Sequence, residues 1–185
     1  MIYASRPYNA NELDRTRKRG IMRIVLSLFV VLGTCMGTYA QTSHIDRIDV
    51  VEYGIYTADK TNCHRDAQGI ERCDRSNVRH AATTLTVPAQ IGVEFGLRYR
   101  VVGTPVGSPI KVKRVWLLPT PGFMEPGANA PIRRLERVDT TTLGATVFAE
   151  YGFDDPWELV PGPWILEFWD GDRKVFTQTF TVVKQ

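Results

Sequence analysis

The sequence predicts an all-β fold, an immunoglobulin-like antiparallel β-sandwich of seven or eight strands preceded by a signal segment. Short segments of alternating apolar and polar residues recur along the chain, separated by clusters of glycine and proline. The chain lacks a convincing amphipathic helical pattern. The clearest hairpin pattern occupies its last part, within Phe148–Val183, which also holds three of the four tryptophans.

The first 40 residues have the pattern of an export signal and are not expected to belong to the fold. Basic residues precede an uncharged apolar run, Ile24–Gly33, and small residues then lead to a cleavage site after Ala40. The basic part is long for a bacterial signal, so Met22 is a candidate for the true start. The apolar run is shorter than the roughly 20 residues of a spanning helix. An uncleaved anchor and a lipid attached at Cys35 are the alternatives.

Removal of that segment changes the charge balance and the classes of partner that it favours. Residues 1–40 hold six of the 23 basic residues and two of the 20 acidic ones, which leaves 17 and 18 in residues 41–185. The remaining single domain lacks the basic excess of a nucleic-acid-binding surface. We expect a periplasmic or secreted domain that meets the membrane only transiently through its signal, with no nucleic-acid partner and no cofactor.

Two cysteines, Cys63 and Cys73, remain in the predicted mature chain. An even pair in an exported protein indicates a disulfide. It would close a polar loop and stabilise the fold by about 2–3 kcal/mol, because it lowers the entropy of the unfolded chain. The rival interpretation is a metal site that adds His64 and His80, although the C-x-x-C and H-x-x-x-H spacings of zinc sites are absent.

Three strands are predicted in the first half of the domain. Ile45–Ala58 form the first, with a bulge near Val50, where the apolar phase shifts. Arg79–Val87 form a thinner strand that ends at Pro88. Ile91–Val102 alternate most regularly, so one face is core and the other solvent. The core set is Val93, Phe95, Leu97, Tyr99 and Val101, and the solvent set is Gly92, Glu94, Gly96, Arg98 and Arg100.

Further strands are predicted on both sides of a long loop. Ile110–Leu118 return as a strand whose apolar phase changes near Lys113. Prolines and glycines fill residues 119–131, the longest irregular loop. Ile132–Val138 have apolar residues at every third position, which would suit a short helix, but the neighbourhood favours an edge strand. Gly144–Phe153 form the next strand.

The last two strands form a hairpin whose alternation predicts the register. A two-residue turn at Asp170-Gly171 would place aromatic residues opposite polar ones and split the core. A three-residue loop, residues 171–173, brings aromatic residues face to face instead. The predicted pairs are Phe168 with Phe176, Trp164 with Phe180, Leu166 with Gln178 and Asp170 with Lys174; the predicted core set is Trp164, Leu166, Phe168, Phe176, Phe180 and Val182.

One cluster, Asp154, Asp155 and Glu158, has the residue types of a catalytic site. Carboxylates beside aromatic residues could supply the acid and the base of a glycosidase. The structural alternative is that Asp155-Pro156 begins a turn and that Trp157 closes the end of the sandwich. We favour the turn, because a fold of this class does not by itself indicate catalysis.

Two tryptophans indicate a binding surface. If the even-numbered residues of the last hairpin are buried, Trp169 faces outward, and Trp116 beside the phase change is expected to do the same. Such residues could stack on a sugar ring or accept an apolar side chain of a partner. The alternative is that another layer or the long loop covers them.

Three segments resemble a known family. They are Glu52–Tyr56, Pro88–Gly96 followed by Arg98-Tyr99, and Gly152–Gly162. These segments are similar to a family of exported bacterial domains of unknown function, over nearly the whole mature chain, and residues 63–73 lie outside that pattern. The resemblance implies an exported β-domain and transfers no activity, cofactor or catalytic residue.

The sequence therefore predicts a non-catalytic binding or accessory module of the bacterial cell envelope, with an envelope protein or a glycan as its partner. One alternative is a polysaccharide hydrolase that uses Asp154, Asp155 or Glu158. Another is an assembly protein that pairs with a second chain through an edge strand. A single open cleft flanked by both carboxylates would favour the hydrolase, and a bare, regular edge without charge or bulge would favour assembly.

Overall fold

The computed structural model describes residues 42–67 and 69–184. The predicted signal segment lies outside these residues. Nine strands and a 3-10 turn, Pro156–Glu158, make up the described part of the chain. The strands are β1 His44–Arg65, β2 Glu71–Ala82, β3 Thr86–Pro88, β4 Glu94–Thr104, β5 Pro109–Leu117, β6 Arg134–Thr142, β7 Thr146–Gly152, β8 Gly162–Asp170 and β9 Arg173–Val183.

The strands form two sheets. A four-stranded sheet has the order β2-β1-β4-β7, and a five-stranded sheet has the order β3-β9-β8-β5-β6. Neighbouring strands are antiparallel except β3 and β9, which pair in parallel. The all-β prediction is confirmed. Within the described residues, no helix is long and apolar enough to span a bilayer.

Aromatic rings fill the space between the sheets. The fully buried ring of Phe95 packs against Trp116 and Trp164 at centroid distances of 5.5 Å, and against Phe180 at 5.3 Å. Such pairs stabilise a core by about 0.5–1.5 kcal/mol beyond the burial of their area. The predicted core set of the last hairpin is buried apart from Phe176, which is half-buried.

The register of the last hairpin is confirmed, but its turn differs from the prediction. Phe168 pairs with Phe176, whereas Asp170 pairs with Arg173 across a two-residue turn. The register shifts between Phe168 and Trp169, and Val175 is skipped. A bulge inserts one residue and so restores the alternation that a two-residue turn alone would break.

The second predicted strand is in fact two strands. β2 pairs with β1 in one sheet, and β3 pairs with β9 in the other, so the chain changes sheets between Ala82 and Thr86. Because this predicted strand is divided, the described part of the sandwich has nine strands and not the predicted seven or eight. The expected bulge in β1 is present between Val50 and Glu52. The segment Ile132–Val138, for which a short helix was the alternative, contributes an edge strand, β6.

A long two-stranded extension, residues 57–79, is the main feature that the sequence did not predict, and we call it the arm. The pairing of β1 with β4 ends at Tyr56, beyond which β1 pairs with β2 alone. Cys63 and Cys73 lie on these paired strands, not in a loop, and the disulfide between them is confirmed, with an S–S distance of 2.04 Å. At the tip, Ile70 is 2% exposed and joins the core.

Candidate functional site

Ion pairs hold the base of the arm against β4. Glu94 is only 3% exposed, and its Oε1 lies 3.1 Å from the Lys60 Nζ and 3.2 Å from the Arg75 Nε. The expectation that Glu94 faces solvent is therefore wrong, because the arm covers that side of β4. A buried carboxylate needs such partners, since an isolated charge is costly to remove from water.

Lys60 also bonds to the turn that follows β7. Its Nζ donates to the Asp154 Oδ1 at 2.5 Å. Burial by itself lowers the pKa of Lys60, but the bonds to Asp154 and Glu94 outweigh burial and raise it. Lys60 therefore stays charged, and one ammonium group joins the arm to both β4 and the turn.

The three carboxylates suggested by the sequence have separate structural partners. Asp155 accepts two hydrogen bonds from the guanidinium of Arg65, at 2.6 and 3.2 Å. Glu158 is 1% exposed and accepts from the Tyr151 hydroxyl at 2.7 Å and from the backbone N–H groups of Asp154 and Asp155. Burial raises the pKa of Glu158, against the opposing effect of these hydrogen bonds. These contacts are those of a braced turn.

Trp157 packs at this turn. Its ring meets Phe123 edge-on at 5.5 Å, and the side chain is half-buried against the core. The long loop that contains Phe123 is attached by a bridge between Phe123 and Ile132. The turn and the loop thus cover one end of the aromatic core, which is the position that the sequence suggested for Trp157.

A space lies between β6, an edge of the five-stranded sheet, and β7, an edge of the four-stranded sheet. We call it the lateral cleft. It contains two cavities of about 60 and 320 Å³, both of which Arg114 and Arg137 line. The smaller cavity lies beside the arm tip, over Trp116 and Tyr151. The larger includes Tyr99, whose pKa burial raises to about 12, so its hydroxyl stays protonated.

Arg114 links the two edges of the cleft. It occupies the inward-facing side of β5 between two core residues, Val112 and Trp116. Its Nε donates to the Asp139 Oδ2 on β6 at 2.6 Å, and its Nη1 donates to the Phe148 carbonyl on β7 at 3.4 Å. An arginine at an inward position accounts for the change of apolar phase in β5.

The expectation that Trp116 faces outward is wrong. The side chain is 7% exposed and packs edge-on against Phe95, because the even-numbered residues of β5 point into the core. Trp116 still reaches the cleft from below, as part of the floor of the smaller cavity. Its remaining exposed edge is therefore available only to a group that enters that cavity.

Trp169 lies outside the core, as expected, but its ring already has polar neighbours. The Nζ atoms of Lys113 and Lys174 lie 5.2 and 5.8 Å from the ring centroid, within the range of cation–π contacts. The indole N–H donates to the Glu167 Oε2 at 3.0 Å. A ligand that stacks on Trp169 would therefore compete with the two lysines.

The residues of the metal alternative do not form a ligand set in this structure. The sulfur atoms of Cys63 and Cys73 are bonded to each other, so neither is a thiolate. The His80 Nε2 lies 2.9 Å from the carbonyl of Tyr53, and its ring packs on Tyr56. His80 thus supports the attachment of β2 to β1.

The sequence patterns did not identify the charged residues of the cleft, above all Arg114, Arg137 and Glu150. The phase change near Lys113 was a usable signal, because an arginine replaces an apolar residue on the inward face of β5. No comparable signal marks Arg137 or Glu150. Their role depends on which strands form the two edges, and alternation does not determine that.

Comparison with known proteins places the fold. No curated protein matches the chain. An immunoglobulin-like protein of known structure from Pseudomonas aeruginosa is 26% identical, covers 78% of this chain and 99% of its own, and superposes with a TM-score of 0.53. The immunoglobulin-like class is thereby confirmed. A family described as a domain of unknown function (DUF3859) matches residues 45–182, and the chain belongs to this family.

Proposed function

We propose that the chain is a non-catalytic binding module of the bacterial cell envelope whose ligand, a glycan or an envelope protein, enters the lateral cleft. The observation that supports this most directly is that charged residues of both signs line the smaller cavity, from the arm, β5, β6, β7 and the following turn, over an aromatic floor. They are Glu71, Arg72, Arg75, Arg114, Glu136, Arg137, Glu150 and Asp154.

The dimensions of the cleft favour a ligand that extends along it. The larger cavity, about 320 Å³, is at the lower end of the range of about 300–1,000 Å³ for ligand pockets. The smaller, about 60 Å³, has room for one small group. Residues of both charges line the cleft, which suits the hydroxyl and amide groups of a glycan or a peptide better than a highly charged ligand.

Binding accounts for the three carboxylates better than hydrolysis does. Asp154 bonds to Lys60, Asp155 bonds to Arg65, and Glu158 is enclosed by three donors. A glycosidase needs one carboxyl group free to donate a proton and a second free to act as nucleophile or base. The disulfide supports the expected compartment, periplasmic or secreted, because disulfides persist in oxidising environments.

The test uses the protein purified from the periplasm, applied to a glycan array and, as an affinity bait, to envelope extract. Glu150→Ala removes a charge from the cleft. Glu52→Ala is the matched control, because Glu52 also pairs with an arginine, Arg98, and does not line either cavity. Trp169→Ala tests the other candidate surface.

We expect Glu150→Ala to weaken the interaction by about tenfold, equivalent to about 1.4 kcal/mol, and Glu52→Ala to leave it unchanged. If only Trp169→Ala lost binding, the lateral cleft would not be the binding site. Binding of neither glycan nor protein by the wild type would contradict the binding function. Cleavage of a polysaccharide that Asp154→Asn abolishes would show that the hydrolase is correct instead.

A further inference from the structure

Of the four sheet edges in the described chain, β6 is long, regular and open. β2 has three register shifts against β1, and β3 is three residues long. The backbone of β7 is engaged by Arg114 at the Phe148 carbonyl. β6 pairs with β5 over nine consecutive residues without a shift. A regular edge with unpaired backbone groups is a template for another strand.

Hydrogen bonds at both ends of β6 show which backbone groups face outward. The Leu118 N–H donates to the Arg133 carbonyl, and the Leu143 N–H donates to the Ser108 carbonyl, each at 2.9 Å. In an antiparallel ladder, residues that bond to one neighbour alternate with residues that point to the other side. The odd-numbered residues therefore bond to β5, and the even-numbered ones, 134 to 142, direct their N–H and C=O groups away from it. In the described chain, β6 pairs with no other strand.

The two charged residues that flank the centre of β6 are complementary when the strand pairs with a second β6 in the antiparallel direction. Val138, which is 58% exposed, lies at the centre of the strand, between Arg137 and Asp139. An antiparallel pair of two β6 strands centred on Val138 places Arg137 of each copy opposite Asp139 of the other. The remaining pairs are Glu136 with Thr140, Leu135 with Thr141 and Arg134 with Thr142.

We propose that the chain forms a two-fold symmetric dimer in which β6 pairs with β6 of a second copy in this register. The two five-stranded sheets then form one continuous sheet. The register pairs even-numbered residues with even-numbered ones, so the outward-facing groups meet and supply about ten hydrogen bonds. This inference goes beyond the proposed function and does not depend on it.

Electrostatic interactions favour this register over the two adjacent registers. A shift that centres the pair on Arg137 sets two guanidinium groups opposite each other, and a centre at Asp139 does the same with two carboxylates. Like charges directly opposite destabilise a strand pair. With Val138 at the centre, Arg137 keeps its 2.7 Å bond to Asp139 of its own chain and faces Asp139 of the second copy, so the four charges alternate in sign.

Sedimentation at several concentrations is the first test, on the wild type and two variants. Val138→Lys places two ammonium groups on the symmetry axis, and we expect it to raise the dimer dissociation constant by at least about tenfold. Val106→Lys is the matched control, because Val106 is 80% exposed and lies in the connection between β4 and β5. The control is expected to dimerise like the wild type.

Disulfide cross-linking tests the register. In the proposed dimer, Val138 of one copy lies opposite Val138 of the other, with about 5.5 Å between the two Cα atoms. This distance is within the range of about 4.4–6.8 Å that a disulfide accepts. Thr140 faces Glu136 instead, so two copies of Thr140 lie roughly 13 Å apart along the strands. We expect Val138→Cys to form a covalent dimer on mild oxidation and Thr140→Cys, on the same exposed side of β6, to remain uncoupled.

Each outcome decides the proposal. A wild type that stays monomeric at all concentrations overturns it, as does a Val138→Lys variant that dimerises as tightly as Val106→Lys. Equal cross-linking of Val138→Cys and Thr140→Cys overturns the register. Circular dichroism of every variant shows whether it has folded, and the cross-linking pair supplies an answer even if Val138→Lys does not fold.

Discussion

The arm and the C-terminal hairpin are both long antiparallel hairpins, yet different forces hold them. The hairpin β8–β9 buries Trp164, Leu166 and Phe168 in the aromatic core. The arm contributes Ile70 to that core and is otherwise held by a disulfide and by ion pairs such as that between Lys60 and Asp154. A change of pH or redox state is therefore expected to destabilise the arm and to leave the hairpin unaffected.

The largest expected effect is in the C-terminal hairpin. Trp164→Ala leaves a void where a fully buried ring contacts Phe95, Phe153 and Tyr151. We expect the free energy of unfolding to fall by about 3–5 kcal/mol, the usual cost of such a truncation. Denaturant unfolding measures it. A loss below about 1 kcal/mol would show that this ring is not central to the core.

The next effect concerns the arm. Replacing Cys63 and Cys73 together by serine removes the cross-link between β1 and β2. We expect a loss of about 2–3 kcal/mol from the greater entropy of the unfolded chain, with faster hydrogen exchange in the arm than in β8–β9. Reductant should lower the stability of the wild type in the same way and leave the variant unchanged. If the arm were equally protected from hydrogen exchange in the wild type and in the double variant, the disulfide would not be what holds the arm.

Lys60→Met tests the ion pairs. Removal of the ammonium leaves Glu94 with Arg75 alone and Asp154 without its lysine. Since Lys60 is 25% exposed, we expect a loss of about 1–3 kcal/mol, less than for a fully buried pair. A variant as stable as the wild type at neutral pH would show that the cluster does not stabilise the arm.

The same residue gives the arm a pH dependence. The pKa of Lys60 in the folded protein is raised above its ordinary value of 10.5, so its contribution is complete below that value and is lost as the pH rises through the folded-state pKa. Thermal unfolding of the wild type and Lys60→Met should therefore converge at strongly alkaline pH. A difference that stays constant across this range would contradict the assignment.

The smallest expected effect is at Trp169, in the same strand as Trp164. Its truncation removes contacts with Lys113 and Lys174 but leaves no void in the core. Trp169→Ala should cost about 0.5–1 kcal/mol, measured by denaturant unfolding beside Trp164→Ala. A cost as large as that of Trp164→Ala would mean that Trp169 supports the fold, which would weaken its case as a binding residue.

The C-terminal hairpin and the arm also differ in how far the sequence predicts their structure. In β8–β9 the alternation of aromatic and polar residues determines the register, because one face is buried. The turn was mispredicted because a bulge at Val175 can absorb one residue, and alternation alone does not distinguish a bulge from a longer loop. The interior of the hairpin was therefore predictable, and its end was not.

The arm was not predictable from periodicity. Its strands are almost entirely polar, and backbone pairing, a disulfide and ion pairs between distant residues hold them. Glu94 was assigned to solvent because nothing in β4 itself shows that the arm will cover it. The cleft was missed for a related reason, since Arg114 interrupts the apolar pattern of β5 while Arg137 and Glu150 interrupt nothing.

The parallel pairing of β3 with β9 has a consequence for the kinetics of folding. β9 can dock on β8 through a short turn, whereas Thr86 meets Thr181 only after a loop of most of the described chain has closed. Closing so long a loop costs entropy before its contacts form, and folds rich in such contacts fold slowly, in about milliseconds to seconds. We therefore expect the local hairpins to form early and the β3 edge to complete the five-stranded sheet last.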